Sequence, residues 1–230
     1  MVDFRMPDRT AGSDRPRYSR VAADGVLVGL AVPLVAVAVA DGLNPQWSWL
    51  EHMASYFVHG RAGWLITVTG VSLAAASAVL IRLAVASSRG GRGGLWLLGV
   101  WAAGMLVAGV FPADPPGQWD RPPSTVGSIH GVGGLAAFLA LPVAAVLLNR
   151  AWQRDARWLP VARALRLTTA AVVAAFVVFV VTWIDVMVGP TLSVGSTPTV
   201  VGLTERVMLW ADVGWLAVAA MGLRRMARDG

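Results

Sequence analysis

The 230-residue chain contains no cysteine and no lysine, and only 14% of it is charged. Without cysteine there is no disulfide, no thiolate metal site and no thiol redox chemistry. All nineteen basic residues are arginine, a uniformity that reads as the coding bias of a GC-rich genome rather than a functional choice. So little charge, beside 56% hydrophobic residues, excludes an ordinary soluble domain, which needs more polar surface to face water. The net charge of +6 raises nucleic acid as a partner. The arginines fall in short groups between apolar runs rather than along one face, so no nucleic-acid partner is expected. Lipid is the solvent that fits.

What the chain has in quantity is hydrophobic runs long enough to cross a bilayer, about 20 residues each. Six are read, at about residues 21–40, 62–85, 95–111, 126–148, 167–188 and 203–223, with residues 1–20 and 225–230 as polar tails. The first exceeds the roughly 7–15 apolar residues of a signal-peptide core, so a retained span is expected. Pro33 and Pro142 predict kinks in the first and fourth spans. Trp47, Leu50, Ala54 and Phe57 recur at helical spacing, which predicts a short helix lying in the interface between the first two spans. Trp152 and Trp158, in the basic connector after the fourth span, are read as interface anchors. Small residues should carry the packing between helices: Gly127 with Gly131, and Gly104 with Ala108.

Arginine also gives an orientation. Sixteen of the nineteen lie on the tails and the second and fourth connectors; only Arg61, Arg121 and Arg206 lie on the other side. By the positive-inside rule both termini are cytoplasmic. The expected fold is therefore an all-α, polytopic bundle of six transmembrane helices, in a bacterial cytoplasmic (inner) membrane.

The same topology puts His52, His59 and His130 on the extracytoplasmic side, with Glu51, Asp114, Asp120 and Glu205. Three imidazoles and a carboxylate, His52, His59, His130 and Asp114, would suit zinc, which could activate water against a lipid or amide at the outer leaflet. No HExxH spacing supports them. Deeper, Asp212 lies seven residues after Glu205 on nearly the same helical face, and Asp185 stands near the outer end of the fifth span. Intramembrane carboxylates face the bundle interior and need partners. Arg206 and His130 are the nearest candidates. Either the group locks helices together or it holds a cation, a proton or a polar headgroup.

The runs FPAD, then IHGVGGLAAF, with SYFVHGRAGWLITVTG before them and GLTERVMLWADVGWLAV after, resemble a group of bacterial integral membrane proteins. That group is the family called domain of unknown function 998. The similarity covers about Val26 to Leu223 and implies a six-span membrane protein with no assigned reaction. On matching positions it marks Asp114, His130, Glu205 and Arg206 as family-like polar residues; His52 and His59 fit its pattern less clearly.

Three functions follow as expectations. The leading one is a non-enzymatic protein whose outward-opening polar site, drawn from Asp114, His130, Asp185, Glu205, Arg206 and Asp212, binds a lipid headgroup, small amphiphile or ion. The alternatives are a zinc-dependent hydrolase and a small proton-coupled transporter. Membrane lipids are the expected partners, with a second copy of the chain or a larger membrane complex as further candidates.

Overall fold

A computed structural model describes residues 14–87, 90–117, 121–189 and 192–229. Among these residues six helices are long and apolar enough to cross a membrane. They are α1 (Asp14–Leu43), α2 (Trp64–Ser87), α3 (Arg92–Val110), α4 (Thr125–Trp152), α5 (Ala162–Val188) and α6 (Val201–Asp229). Helices are what such a sequence must form, because hydrocarbon offers no partner to an unpaired backbone N–H or C=O. At 1.5 Å per residue the shortest, α3 with 19 residues, is about 28 Å long, close to the thickness of a hydrocarbon core. The observed helices overrun the expected spans at most ends, since polar residues flanking an apolar run still propagate the helix.

Helix ends follow local chemistry. Proline at position 112 cannot donate to the α3 ladder, and the helix stops at Val110, with the Phe111 N–H closing the last turn on the Val107 carbonyl. Ser124 caps α4, its hydroxyl accepting from the Gly127 N–H at 2.9 Å. Pro33 and Pro142 lie inside α1 and α4, and both helices continue through them.

Successive helices pack side by side, and α6 closes the ring against α1. The closest pairing joins α3 to α4, whereas α4 and α5 share the sparsest seam between neighbours. Tight pairing comes from glycine. A Cβ on Gly70 of α2 would lie 2.5 Å from the Gly109 Cα of α3, and one on Gly104 would lie 2.5 Å from the Gly133 carbonyl oxygen of α4. Backbones approach this closely only where a side chain is missing. Of the expected pair on α4, Gly127 presses on Asp114 while Gly131 faces open space.

Two connectors differ from expectation. Residues 44–60 form turns and a 3-10 helix, Ala54–His59, rather than an amphipathic α-helix in the interface. Ala54 and Phe57 are buried, and Trp47 packs edge-on against Phe57 at 5.4 Å. The segment folds back over the bundle because Asn44 captures it: the Asn44 side chain donates to the Arg61 carbonyl and accepts from the Arg61 N–H. At the other end, Trp152 and Trp158 are not interface anchors. They are 1% and 0% exposed, stacked at 3.9 Å, with Trp215 of α6 stacked next at 5.9 Å. The 3-10 helix Ala156–Val161 tucks Trp158 under α6, where the packing against Gly222 leaves no room for a side chain there.

Candidate site at the open end of the bundle

The two residues at the head of α6 do different work. Arg206 is 4% exposed and donates at four points: to both carboxylate oxygens of Asp41 at 2.6 and 3.0 Å, to the His52 carbonyl at 2.8 Å and to the Gly202 carbonyl at 3.0 Å. Its guanidinium also lies 5.2 Å from the Phe57 ring centre. Four of the five N–H groups of the fork are used, so Arg206 fastens α6 to the end of α1 and to the 44–60 segment. Asp41, its partner, lies 165 residues away and was not among the expected site residues.

Glu205 is equally buried, at 4% exposed, and turns to the opposite side. Its Oε2 accepts from the Ala54 N–H. The residue lines a cavity of about 960 Å³ to which all six helices contribute, with its largest walls on α4 and α5, the neighbours with the sparsest seam. Along α4 the lining runs from Gly127 through His130, Gly131, Gly134 and Leu135 to Phe138 and Leu139. Facing them on α5 are Phe176, Phe179, Val180, Trp183 and Met187, and Phe138 meets Phe179 edge-on at 5.4 Å. The polar groups gather toward one end: Ser55, Tyr56, Thr69, Asp114, Arg121, Ser124, His130 and Glu205. The shape is an apolar trough with a polar head.

Asp114 is held by Ser124, which donates through its hydroxyl at 2.6 Å and its N–H at 2.9 Å. The hydroxyl bond, then the amide bond, and then the nearby His59 and His130 keep this carboxyl below the usual carboxylate range. Gly127 is required opposite it, because a Cβ there would overlap the carboxylate. Burial, together with the Glu205 and Asp114 charges, pushes the Tyr56 phenol up, so it remains a neutral hydroxyl.

The histidines are tied to backbone. His130 Nδ1 donates to the Ala108 and Phe111 carbonyls at 2.9 and 2.8 Å, fastening α4 to the end of α3. His59 Nε2 donates to the Ala113 carbonyl at 2.7 Å, and His52 Nδ1 donates to the Ser48 carbonyl at 3.1 Å with its ring stacked on Trp47. His59 and His130 stand near Asp114, but His52 belongs to the Arg206 clamp. Among the described residues no group of three or more His, Cys, Asp or Glu is placed to hold a metal ion. The set His52, His59, His130 and Asp114 is thus not assembled as a zinc site.

Of the expected polar residues, Asp114, His130 and Glu205 line one cavity, and Asp185, Arg206 and Asp212 do not. Asp185 is half-buried at the end of α5 and accepts from the Leu192 N–H at 3.1 Å. Asp212 is 1% exposed, and its Oδ1 has no hydrogen-bond donor among the described residues. The α6 lining of the cavity ends at Leu209, one turn short of it. Asp120 lies outside the described residues. Tyr56, Arg121, Ser124 and Trp183 are among the lining residues that do not stand out as site candidates in the sequence.

The model of one family, described as protein of unknown function (DUF998), matches residues 27–222. The chain belongs to this family. No curated protein and no solved structure matches it significantly. The match to DUF998 runs from within α1 to the last turns of α6, and so takes in every residue of the cavity. With its six apolar helices, this DUF998 member is a multi-pass membrane protein.

Proposed function

We propose that this protein binds an amphiphile from the membrane, tail between α4 and α5 and polar end among Tyr56, Asp114, His130 and Glu205. The observation that carries the reading is the cavity itself. From Ser124 to Leu139 it follows about 20 Å of α4, which is much of one bilayer's hydrocarbon depth. Its walls are apolar where acyl chains would lie and polar only at the end, the pattern of a site that orients one molecule. Entry from lipid would be across the α4–α5 seam, the sparsest between neighbouring helices. The arginine distribution supports both termini in the cytoplasm of a bacterial cell, with the polar end toward the outer leaflet.

The other two readings have less support. A zinc hydrolase needs ligands that converge, and His52 is committed elsewhere. A proton-coupled carrier needs a path, and Asp212 lies beyond the cavity's end.

Gly134 supplies the test. It is buried, yet a Cβ built on it meets nothing within 4 Å, because it faces the cavity. Gly134→Trp should fill the trough without clashing with a neighbouring helix. Saturable binding of a fluorescent acyl amphiphile to the purified protein in detergent should weaken at least tenfold, about 1.4 kcal/mol or more. Equal binding by a folded Gly134→Trp protein refutes the assignment.

A further inference from the structure

We infer that the polar end of this ligand is positively charged: an apolar chain ending in an ammonium, seated against Glu205 and Asp114. The inference rests on the cavity being an amphiphile site and adds what that site selects.

Charge bookkeeping at the open end gives the first argument. Arg206 and Asp41 form a closed bidentate pair, so neither is left to neutralise a ligand. The histidine N–H groups described above are spent on backbone carbonyls. Among the described residues, the cavity is faced by two carboxylates, Glu205 and Asp114, with Arg121 exposed at the rim and His130 tied through Nδ1 to backbone carbonyls. Tyr56 lines the same cavity, its phenol kept neutral by burial and by the negative charge of both carboxylates.

Glu205 gives the second argument. It is a buried acid whose Oε2 is satisfied by Ala54, while no donor among the described residues hydrogen-bonds to its Oε1. The residue lines the cavity, so the acceptor is presented to whatever enters. A carboxylate oxygen facing apolar walls is costly unless a donor or a cation meets it. An ammonium supplies both. The aromatic faces near this end, Tyr56 and Trp183, are the surfaces that attract such a cation further. An anionic head would meet the Asp114 charge and find no lining cation at Glu205.

Two sources share this chemistry: an aminophospholipid of the bilayer, and a free alkylammonium amphiphile. The full-length protein in neutral maltoside detergent is titrated with dodecyltrimethylammonium, dodecanol and dodecyl phosphate, with tryptophan fluorescence and melting temperature as readouts. The ammonium should bind roughly tenfold or more tighter than the alcohol, and the phosphate no tighter than the alcohol. Glu205→Gln should reduce the ammonium to the level of the alcohol. Because that change also loosens Ala54, Trp183→Leu serves as the second variant, weakening the ammonium several-fold and sparing the alcohol. Ammonium and alcohol binding equally, or phosphate binding tightest, overturns the inference and leaves the amphiphile site standing. Failure of all three to bind overturns the site and the inference together. A short-chain phosphatidylethanolamine that displaces the ammonium probe, more weakly in Arg121→Ala, identifies the bilayer as the source. Indifference to that lipid identifies a free amphiphile, and either result upholds the charge.

Discussion

The two ends of this bundle solve the same problem in opposite ways. At the arginine-rich end the helices are drawn together: Trp152, Trp158 and Trp215 stack, Leu148 fills the space over Gly94, and Arg224 pairs with Asp24 across α6 and α1. At the other end the connections are polar and run through loops. Arg206 grips Asp41 and His52, His59 reaches Ala113, and Asp114 holds Ser124. Dispersion packing of planar rings draws α4, α6 and the 3-10 helix together, whereas loop-borne hydrogen bonds fix the other end and leave the cavity lined by α4 and α5, whose seam is the sparsest between neighbours. One end supplies rigidity, and the other supplies a cavity. The division is physical and can be attacked from either side.

The largest effect should come from the closed end. Trp158→Ala removes a fully buried indole from between Trp152 and Gly222 and should cost about 3–5 kcal/mol, read as a lower unfolding temperature in detergent. The folded fraction should bind amphiphile as before. If binding falls in proportion, the ends are coupled and the division is wrong. Next comes the clamp at the open end. Arg206→Met strands Asp41 and the His52 and Gly202 carbonyls, with an expected cost of about 3 kcal/mol, the low end for a broken buried pair because Asp41 keeps 21% of its side chain exposed. Arg206→Lys should rescue little, since a single ammonium cannot reproduce a bidentate fork. The signature that separates this from the tryptophan change is local: proteolysis within residues 44–60 should rise while the tryptophan stack stays intact.

The spans were legible because hydropathy and arginine spacing are local properties of the chain, and membrane insertion obeys both. The breaks at Phe111-Pro112 and the head of α4 were legible for the same reason. Asp114, His130 and Glu205 stood out as polar residues in apolar surroundings, and the fold brings all three to one cavity. Partners were not legible. Nothing near Arg206 in the chain points to Asp41, and the arginine was matched to acids on its own helix and on α5. Trp152 and Trp158 misled because an interfacial and a buried indole look alike in sequence; only the turn at Ala156–Val161 decides which they are. The helical spacing of Trp47 to Phe57 was real as a pattern. The Asn44 capture and the 3-10 turn override it, because side-chain hydrogen bonds there satisfy the backbone without an α-helix. Tyr56 was overlooked because one phenol in an aromatic stretch carries no signal until the two carboxylates are placed beside it.

The smallest effect, and the one that tests the open end alone, concerns Asp114. Its carboxyl lies below its ordinary value because Ser124 donates twice to the ionised form. A folded pKa that is depressed means the native state holds its proton less tightly than the unfolded chain does. The bonds therefore stabilise fully above the ordinary value of 3.8, and that contribution drains away as pH falls from there through the lower folded value. Asp114 is solvent-accessible, so the effect on the melting temperature should be modest and weakened by salt. Asp114→Asn removes the titrating group. Its melting temperature should sit slightly below wild type at pH 7, and the gap should close as the pH drops below 4. Ser124→Ala should give the same convergence through the other partner, with α4 losing its cap as well. At the closed end Asp155 is likewise held below its ordinary value, by the Arg157 side chain and N–H that donate to it, but Trp158→Ala leaves both partners of that pair in place, so it should displace the whole curve without changing its slope in acid. Parallel curves for Asp114→Asn and wild type down to pH 3 would mean that Ser124 is fixed by the helix rather than by the charge, and that Asp114 stands at the cavity mouth without holding it.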